Sequence, residues 1–473
     1  MGRDDRGVQP ARERGAAALT RDGEPAKSRL TCSGCGAPLP AAAARPWRCP
    51  AEIPGDDIDH LVQRTIDLAS LRFPAAGSDN PFVRYREFLH AYQTGRAAGL
   101  GDGALVDLIE RFDRAVAAVD GRGFRTTPFV PAPELARRLG FTGPGEVWIK
   151  DETGNVSGSH KARHLAGIAL WLAVADTLAG ARGERVAPAR LAIASCGNAA
   201  LAAAVIARAA GRPLEVFIPP DAEPAVVGRL AALGAGIAVC PREREERGDP
   251  CLRRFRATVA GGAVPFTCQG SENGLTIEGG HTLGYEMAAA LAQGGQRLDR
   301  VLIQVGGGAL ASAVIQGLRE AVTLGAMPRL PRIDVVETRA VHPLARARER
   351  LERWIADHPG AQAGPAALRH AARHRSQFMW PWESAPPSVA RGILDDETYD
   401  WRAVAAGMLE TGGAPVLVPE ARLEEAHALA REATAIPVSP TGSAGLAGLL
   451  ELRRAGRVAP HERVALLFTG IER

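Results

Sequence analysis

The sequence predicts an α/β protein with two mostly parallel β-sheet domains covered by helices, and a helical N-terminal extension. From about residue 125 onward, short apolar runs alternate with helical stretches, as in parallel sheets flanked by helices. In a chain of 473 residues, this many strand–helix units favour two α/β domains over one. The predicted strands are 147–149, 191–193, 214–218, 236–239, 301–305, 333–336 and 464–468, and representative helices are 160–178, 199–210 and 310–322.

Composition excludes several classes of partner. The 57 basic and 53 acidic residues leave a formal net charge of only +4, so nucleic acid is not expected as a partner. There is no run of eighteen apolar residues and no signal-peptide pattern, so we expect no membrane association. Seven cysteines is an odd number, which fits a reducing compartment, and we expect a cytoplasmic protein.

The N-terminal quarter of the chain divides into three segments. Residues 1–28 are charged and Gly-rich without periodicity, which predicts a disordered tail. Residues 29–55 contain a cysteine cluster resembling a degenerate zinc ribbon, and residues 56–125 are predicted to be mainly helical because apolar residues recur at helical spacing. The remainder, 126–473, carries the strand–helix alternation.

The cysteine cluster consists of Cys32, Cys35 and Cys49. A C-x2-C pair on a tight glycine turn suits tetrahedral zinc, but a fourth cysteine is missing from the expected place. Glu52 or His60 could complete the site, and a degenerate, metal-free relic of such a site is the alternative.

Lys161 lies at a predicted helix start, after a loop rich in Ser and Gly. The helix dipole disfavours a cation there and so favours the neutral amine, the form that can attack a carbonyl group. Taken alone, the same position also suits an ordinary surface lysine.

Three other predicted helix starts carry groups suited to binding. The turn from Ser195 through Gly197 to Asn198 offers N–H groups and an amide, although Asn198 could simply cap its helix. The glycines of 306–308 form a nest of N–H donors that can hold a phosphate, but they match neither a dinucleotide-binding loop nor a P-loop. Residues 439–445 offer small hydroxyl groups that could equally make a serine/threonine turn or a helix cap.

In this order, these four segments resemble the fold type II pyridoxal-phosphate (PLP) enzymes of the tryptophan synthase β-like superfamily. Within it, the chain is most similar to the threonine synthase and threonine/serine dehydratase group, over roughly residues 80–473. The segments that carry the likeness are 80–86, 126–129 with 134–136, 277–286, the ending 468–470 and the N-terminal cysteine cluster. The resemblance implies a PLP catalytic core over 126–473, with a smaller α/β subdomain at about 155–270 inserted in the larger one. It also implies a homodimer.

The resemblance implies roles for individual residues. Lys161 matches the lysine that holds PLP as a Schiff base and moves the Cα proton. Asn198 matches the asparagine that binds the 3′-oxygen of PLP, and Thr441 the hydroxyl that meets the pyridine nitrogen, with Ser443 as the alternative. The phosphate loop comprises Gly306, Gly307, Gly308 and Ala309, and the substrate-binding residues are Ser157, Ser159, His160, Ser195 and Gly197.

The chain departs from its relatives around the lysine. The motif reads Ser159-His160-Lys161-Ala162-Arg163-His164, without the Asp that comes after the lysine in many threonine synthases. This departure argues against phosphohomoserine as the substrate. The two histidines offer an additional acid or base near neutral pH, or else are packed and hydrogen-bonded.

Three functions are compatible with these residues. The first is a PLP-dependent lyase that removes the α proton of a small amino acid, expels a β- or γ-leaving group and releases a 2-oxo acid and ammonia. The second is a threonine-synthase-like or β-replacement synthase that adds water or another nucleophile to the aminoacrylate or aminocrotonate. The third belongs to another class, a non-catalytic PLP-binding scaffold protein.

Overall fold

The fold was examined in a computed structural model, which describes residues 26–473 apart from 41, 42, 44, 75, 186, 243–247, 384 and 385. The predicted tail therefore lies almost wholly outside the described residues. The strands are β1 (Ser28–Cys32), β2 (Val62–Ile66), β3 (Phe129–Pro131), β4 (Glu146–Asp151), β5 (Leu191–Ala194), β6 (Leu214–Ile218), β7 (Gly236–Val239), β8 (Val264–Pro265), β9 (Arg300–Gln304), β10 (Arg332–Thr338), β11 (Pro415–Val418) and β12 (Arg463–Phe468).

Fifteen α-helices connect and cover these strands in the described part of the chain. They are α1 (Pro81–Arg84), α2 (His90–Ala97), α3 (Asp102–Asp120), α4 (Pro133–Arg138), α5 (Lys161–Ala181), α6 (Asn198–Ala209), α7 (Pro224–Ala232), α8 (Pro250–Ala260), α9 (Thr276–Gln293), α10 (Ala309–Thr323), α11 (Pro343–Asp357), α12 (Ala363–Arg373), α13 (Trp401–Thr411), α14 (Glu420–Thr434) and α15 (Pro440–Arg454).

Two larger sheets form the core. The six-stranded sheet has the order β11-β10-β9-β12-β4-β3, and the four-stranded sheet the order β7-β6-β5-β8. All neighbouring strands are parallel except β3, which runs antiparallel to β4 at one edge. The central strands are apolar and buried; β9, for example, is buried along its whole length. In parallel sheets, ligands bind beyond the carboxyl ends of the strands, where β9 and β5 deliver the candidate residues.

Helix α5 is long and apolar because it is a core helix. By length and composition alone it could cross a membrane, but half of its most apolar window is buried inside the protein. It packs against α9 and α6, and its buried residues include Leu165, Ile168 and Leu172. One such helix is weak evidence for a membrane span.

The N-terminal module, defined here as residues 28–66, contains a small antiparallel sheet of β1 and β2, in which Cys32 pairs with Val62. Beyond it, α1, α2 and α3 supply the helices expected between 56 and 125, whereas β2 was not expected there. Strand β2 was missed because only its first residue is fully buried and its pattern lacks apolar alternation.

The predicted α/β class with parallel sheets covered by helices is confirmed. Each of the seven predicted strands is present, with bounds within two residues of those expected. Val305 was expected in β9 but lies just beyond its end. Strands β1, β3, β8 and β11 were not predicted either, and the last three are short or contain proline.

Candidate active site

Lys161 is the first residue of α5 and comes after a loop that begins at the carboxyl end of β4. Its charge interacts with Asp395, Asp400 and Cys268, which come from distant parts of the chain. The sequence has two other lysines. Lys150 is fully buried in an ion pair with Glu286, and Lys27 precedes β1. Lys161 is therefore the lysine available for a covalent role.

The glycines 306–308 lie between β9 and α10, as the sequence predicted for a phosphate loop. Gly308 has a φ of +90°, a left-handed conformation that favours glycine, and it caps α10. A Cβ atom at Gly307 would lie 2.8 Å from the ring of Tyr399, and one at Gly306 would collide with Asp395. A second segment of the chain therefore packs so closely against the nest that Gly306 and Gly307 have no room for a side chain.

That segment runs from Arg391 to Asp400 and was not anticipated from the sequence. The N–H of Gly307 donates a hydrogen bond to Asp395 Oδ2 at 2.6 Å. Burial raises the pKa of Asp395, while the charge of Lys161 lowers it. Asp400 is also buried, accepts a hydrogen bond from the Gly270 N–H at 3.3 Å, and has its pKa raised by burial to about 7. The nest thus already binds a carboxyl group of this chain.

Asn198 is the first residue of α6, directly after β5 and the turn through Ser195 and Gly197. Gly197, not Asn198, occupies the helix cap position. The Asn198 side-chain oxygen accepts a hydrogen bond from Arg473, which also donates to the carbonyl of Ser157. Its amide nitrogen would lie 2.8 Å from a Cβ at Gly470. Arg473 was not predicted, because nothing in the sequence links it to the asparagine turn.

Two hydroxyl groups ahead of Lys161 have no hydrogen-bond partner within the described residues. These are the buried Oγ atoms of Ser157 and Ser159. Ser157 also has a φ of +54°, which is rare for a residue with a side chain. Such strain is typical of functional sites, where surrounding contacts hold a residue in place. Here the Ser157 N–H donates to Asp120 and its carbonyl accepts from Arg473.

The hydroxyls of Thr441 and Ser443 differ in how they are bonded. Thr441 Oγ1 accepts a hydrogen bond from the Gly392 N–H at 3.1 Å, which leaves its own hydrogen free to donate. The Ser443 hydroxyl is fully buried and donates to the carbonyl of Ser439 at 3.1 Å. Of the two hydroxyls, that of Thr441 therefore keeps a hydrogen that it can donate to a ligand.

Both histidines beside Lys161 are buried and hydrogen-bonded. His160 Nδ1 donates to the carbonyl of Thr469 and His164 Nδ1 to that of Thr276. Burial lowers the pKa of His164 to about 3 and that of His160 well below its ordinary value. Both rings are thus neutral at physiological pH.

A buried ionic network lies behind Lys161 and was also missed. Arg163 donates to Glu152 through Nε at 2.9 Å and to Glu286 through Nη1 at 2.6 Å. Lys150 pairs with the same Glu286, and Thr127 hydrogen-bonds both carboxylates. The signal in the sequence was a set of charged residues within otherwise apolar strands and helices, where burial demands partners.

The glycine nest, Thr441, Lys161 and the two serine hydroxyls fit a pyridine aldehyde that carries a phosphate. The nest offers N–H donors and already accommodates a carboxylate, so it accepts an anion of suitable size. The Thr441 hydroxyl has a hydrogen that it can donate, and Lys161 provides an amine. The unpartnered hydroxyls of Ser157 and Ser159 suit a carboxylate. A phosphate at Gly307 requires that the Asp395 carboxylate move aside or lose its charge.

The remaining predicted site residues, Cys32, Cys35 and Cys49, lie together in the N-terminal module, with His60 beside them.

Comparison with known proteins gives a consistent result. The profile of a family described as "Pyridoxal-phosphate dependent enzyme" matches residues 122–470. The chain is similar to a threonine synthase of Methanosarcina acetivorans, with 24% identity over 73% of this chain and 74% of that protein. It is also similar to a threonine synthase of Methanocaldococcus jannaschii, with 23% identity over 73% of this chain and 74% of that one.

Solved structures share the fold. A threonine deaminase from T.th. aligns with a TM-score of 0.55 at 23% identity, covering 78% of this chain and 98% of that chain. A diaminopropionate ammonia lyase from Escherichia coli aligns with a TM-score of 0.54 at 16% identity, covering 78% of this chain and 89% of that chain.

Proposed function

The chain belongs to the pyridoxal-phosphate dependent enzyme family, and on that premise we propose that it is a lyase acting on a small amino acid. The reaction proposed is removal of the α proton, loss of a leaving group from the β carbon, and hydrolysis by water to a 2-oxo acid and ammonia. The observation that supports this proposal most directly is the position of Lys161 at the start of α5, together with the glycine nest and the free hydrogen of Thr441.

In this proposal the nest of Gly306, Gly307, Gly308 and Ala309 holds the phosphate of PLP, and Asn198 and Thr441 hold its ring. Bound PLP supplies an electron sink for the substrate's α carbon. A hydroxyl at the ring nitrogen leaves that nitrogen unprotonated, which moderates the sink and favours elimination over transamination.

The protein's own groups move the proton and hold the substrate. The Lys161 amine takes the α proton and passes it to the departing hydroxyl or amine. The serine hydroxyls, Ser157 Oγ and Ser159 Oγ, donate to the substrate carboxylate, which satisfies two otherwise unpartnered buried groups. Neutral His160 packs beside the lysine without adding a second positive charge.

Charge around the nest supports a leaving group without a phosphate. The segment over the nest carries Asp395, Asp396, Glu397 and Asp400. Burial raises the pKa of Asp396, and the neighbouring carboxylates of Glu397 and Asp249 raise it further. Glu397 pairs with Arg375, and the other three carboxyls add negative potential when they are ionised, which disfavours a second phosphate beside that of PLP. A hydroxyl or an amine as leaving group fits this environment.

The second candidate is a β-replacement or threonine-synthase-like reaction, favoured by the similarity to two threonine synthases. Both reactions share the first steps, so they differ only after the leaving group has been lost. Residue Ala162 and the acidic segment argue against phosphohomoserine, the phosphorylated substrate expected for threonine synthases.

The PLP-loaded protein should be incubated with serine, threonine, 2,3-diaminopropionate, O-phosphoserine and phosphohomoserine, with 2-oxo acid and new amino acid measured separately. We expect 2-oxo acid from at least one substrate with a hydroxyl or amine leaving group. Threonine formed from phosphohomoserine would instead establish the second candidate. No 2-oxo acid from any of these substrates would contradict the lyase proposal.

A lysine substitution tests the assignment itself. Lys161→Ala should abolish the visible absorbance that PLP gains on binding, and it should lower activity by about 10²–10⁴-fold or more. Lys27→Ala is the matched control and should change neither. A wild-type protein that gains no such absorbance would favour the scaffold hypothesis.

A further inference from the structure

Four side chains in the N-terminal module converge on one point. One potential ligand atom each from Cys32, Cys35, Cys49 and His60 lies within 4.8 Å of all the others. Cys32 ends β1, Cys35 comes next on a tight turn and His60 precedes β2. The antiparallel pairing of β1 with β2 therefore brings the first and last of them together. All three cysteines are free thiols.

The distances within this cluster match a tetrahedral metal site. Cys35 Sγ and Cys49 Sγ are 3.6 Å apart, and Cys32 Sγ is 3.4 Å from His60 Nδ1. With zinc–sulfur bonds of about 2.3 Å and zinc–nitrogen bonds of about 2.0 Å, tetrahedral ligand atoms are about 3.5–3.8 Å apart. These two distances therefore fit a tetrahedral site, and all four atoms lie within 4.8 Å of one another.

Hydrogen bonds from the surroundings support His60, Cys35 and Cys49 as ligands. His60 Nε2 is 3.0 Å from Asp56 Oδ2, and a proton shared there leaves the Nδ1 lone pair facing the thiols. A carboxylate behind a histidine ligand is the usual support for zinc. The N–H groups of Ala37 and Ala51 point at Cys35 Sγ and Cys49 Sγ, at 3.5 and 3.4 Å, and such donors stabilise thiolates.

We propose that Cys32, Cys35, Cys49 and His60 bind one zinc ion in a closed, structural site. Four protein ligands leave no open position for water or substrate, so the ion has no part in catalysis. Thiolates with one imidazole select zinc over the hard cations magnesium and calcium. Glu52, the other candidate fourth ligand, instead pairs with Arg48 at the surface.

The site ties two parts of the chain to the catalytic core. Asp59, next to His60, accepts hydrogen bonds from Arg402 at 2.6 Å and Arg375 at 3.2 Å. The carbonyl and hydroxyl of Ser33, next to Cys32, also accept from Arg402. Arg402 lies just after the segment over the glycine nest. Zinc therefore holds the loops that anchor this segment, since a two-stranded sheet alone is marginally stable.

Metal analysis of the full-length protein, purified without chelators and dialysed against metal-free buffer, tests the proposal. We expect about one zinc per chain, and at least a tenfold loss in Cys35→Ser and in Cys49→Ser. Cys251→Ser is the matched control, because Cys251 is also a buried free thiol but lies in α8. It should keep its zinc. Wild-type protein with less than a tenth of an equivalent, or with iron instead, would overturn the proposal.

Two further measurements keep the test valid if the cysteine variants fail to fold. Wild-type protein loaded with cobalt should show the intense visible bands of tetrahedral cobalt with thiolate ligands, and their absence would overturn the assignment. His60→Cys should keep a full equivalent of zinc, whereas His60→Ala should bind it more weakly. Equal zinc in His60→Ala, Cys35→Ser and wild type would refute the ligand set.

Discussion

At the scale of single residues, the side chains near Lys161 differ in whether their polar atoms already have hydrogen-bond partners within the fold. The Ser443 hydroxyl is fully buried and has a partner within the fold, whereas buried His164 is bonded through Nδ1 and has no partner for Nε2 within the described residues. Ser157 and Ser159 have unpartnered hydroxyls, and Thr441 has a free hydrogen. An unsatisfied buried polar group costs stability, so its presence beside Lys161 points to a ligand that completes it. All five residues are candidates from the sequence alone, but the sequence does not show which of their polar atoms have hydrogen-bond partners.

Asp395 is the residue whose substitution most directly tests cofactor binding. Burial raises its pKa. Below that pKa the carboxyl is neutral and leaves the nest to a phosphate; above it, the carboxylate competes for the Gly307 N–H. PLP affinity of the wild type should therefore fall as pH rises, and Asp395→Asn should bind PLP about tenfold more tightly at alkaline pH, equivalent to about 1.4 kcal/mol.

The measurement is a PLP titration of both proteins from acid to alkaline pH, with their affinities compared at each pH so that the cofactor's own ionisation cancels. Asp396→Asn is the control, because it removes a neighbouring charge that is not bonded to the nest. A constant ratio between Asp395→Asn and wild type across pH would show that Asp395 does not compete with the phosphate.

At the scale of elements, α5 and α9 share a buried ionic network. Arg163 of α5 binds Glu286 of α9 and Glu152, and Lys150 of β4 binds the same Glu286. Burial acts to raise the pKa of Glu286, yet Arg163 and Lys150 hold it below its ordinary value. A carboxyl with a lowered pKa stabilises the fold above its unfolded pKa, and this contribution is lost as pH falls below it.

Arg163→Met should therefore destabilise the fold by about 3–5 kcal/mol, because two buried carboxylates lose their shared partner. Urea unfolding at neutral pH measures this change. Arg137→Met, which breaks an exposed pair with Glu134, is the control and should change stability little. A similar small effect of both substitutions would mean that the network does not hold α5, and so Lys161, in place.

At the scale of the whole molecule, the N-terminal module and the catalytic core meet through Asp59. This buried carboxylate is bonded to Arg375 and Arg402, and Trp47 of the module packs edge-on against Trp171 of α5 at 6.2 Å. The module therefore contacts both the helix that begins at Lys161 and the chain just after Asp400. We therefore expect the module to stabilise both of these parts of the chain.

Asp59→Asn should lower the free energy of unfolding by about 1.5–3 kcal/mol, the range for a hydrogen bond to a charged group. It should leave the zinc content unchanged, because Asp59 is not a ligand. Thermal unfolding with metal analysis on the same samples measures both. Glu52→Gln, at the surface of the same module, should have little effect on either. Unchanged stability in Asp59→Asn would show that the module does not brace the core.

The sequence by itself determined the α/β class, the seven main strands and the four segments of the site. It could do so because strand–helix alternation and helix-start motifs are local, and because these segments resemble a known family. Lys161, Asn198 and the glycine nest were nominated in this way, and in the structure Asp395 both binds the nest and interacts with the charge of Lys161. Which fourth residue joins the three cysteines remained open at that level.

Only the tertiary structure decided what surrounds these groups. Asp395 over the nest, Arg473 on Asn198, the Arg163 network and His60 beside the cysteines each join residues far apart in sequence. Such contacts depend on how the two sheets and the N-terminal module pack, and no local pattern records that packing. The physical reason is that burial and charge, which set the properties of these groups, exist only once the chain has folded.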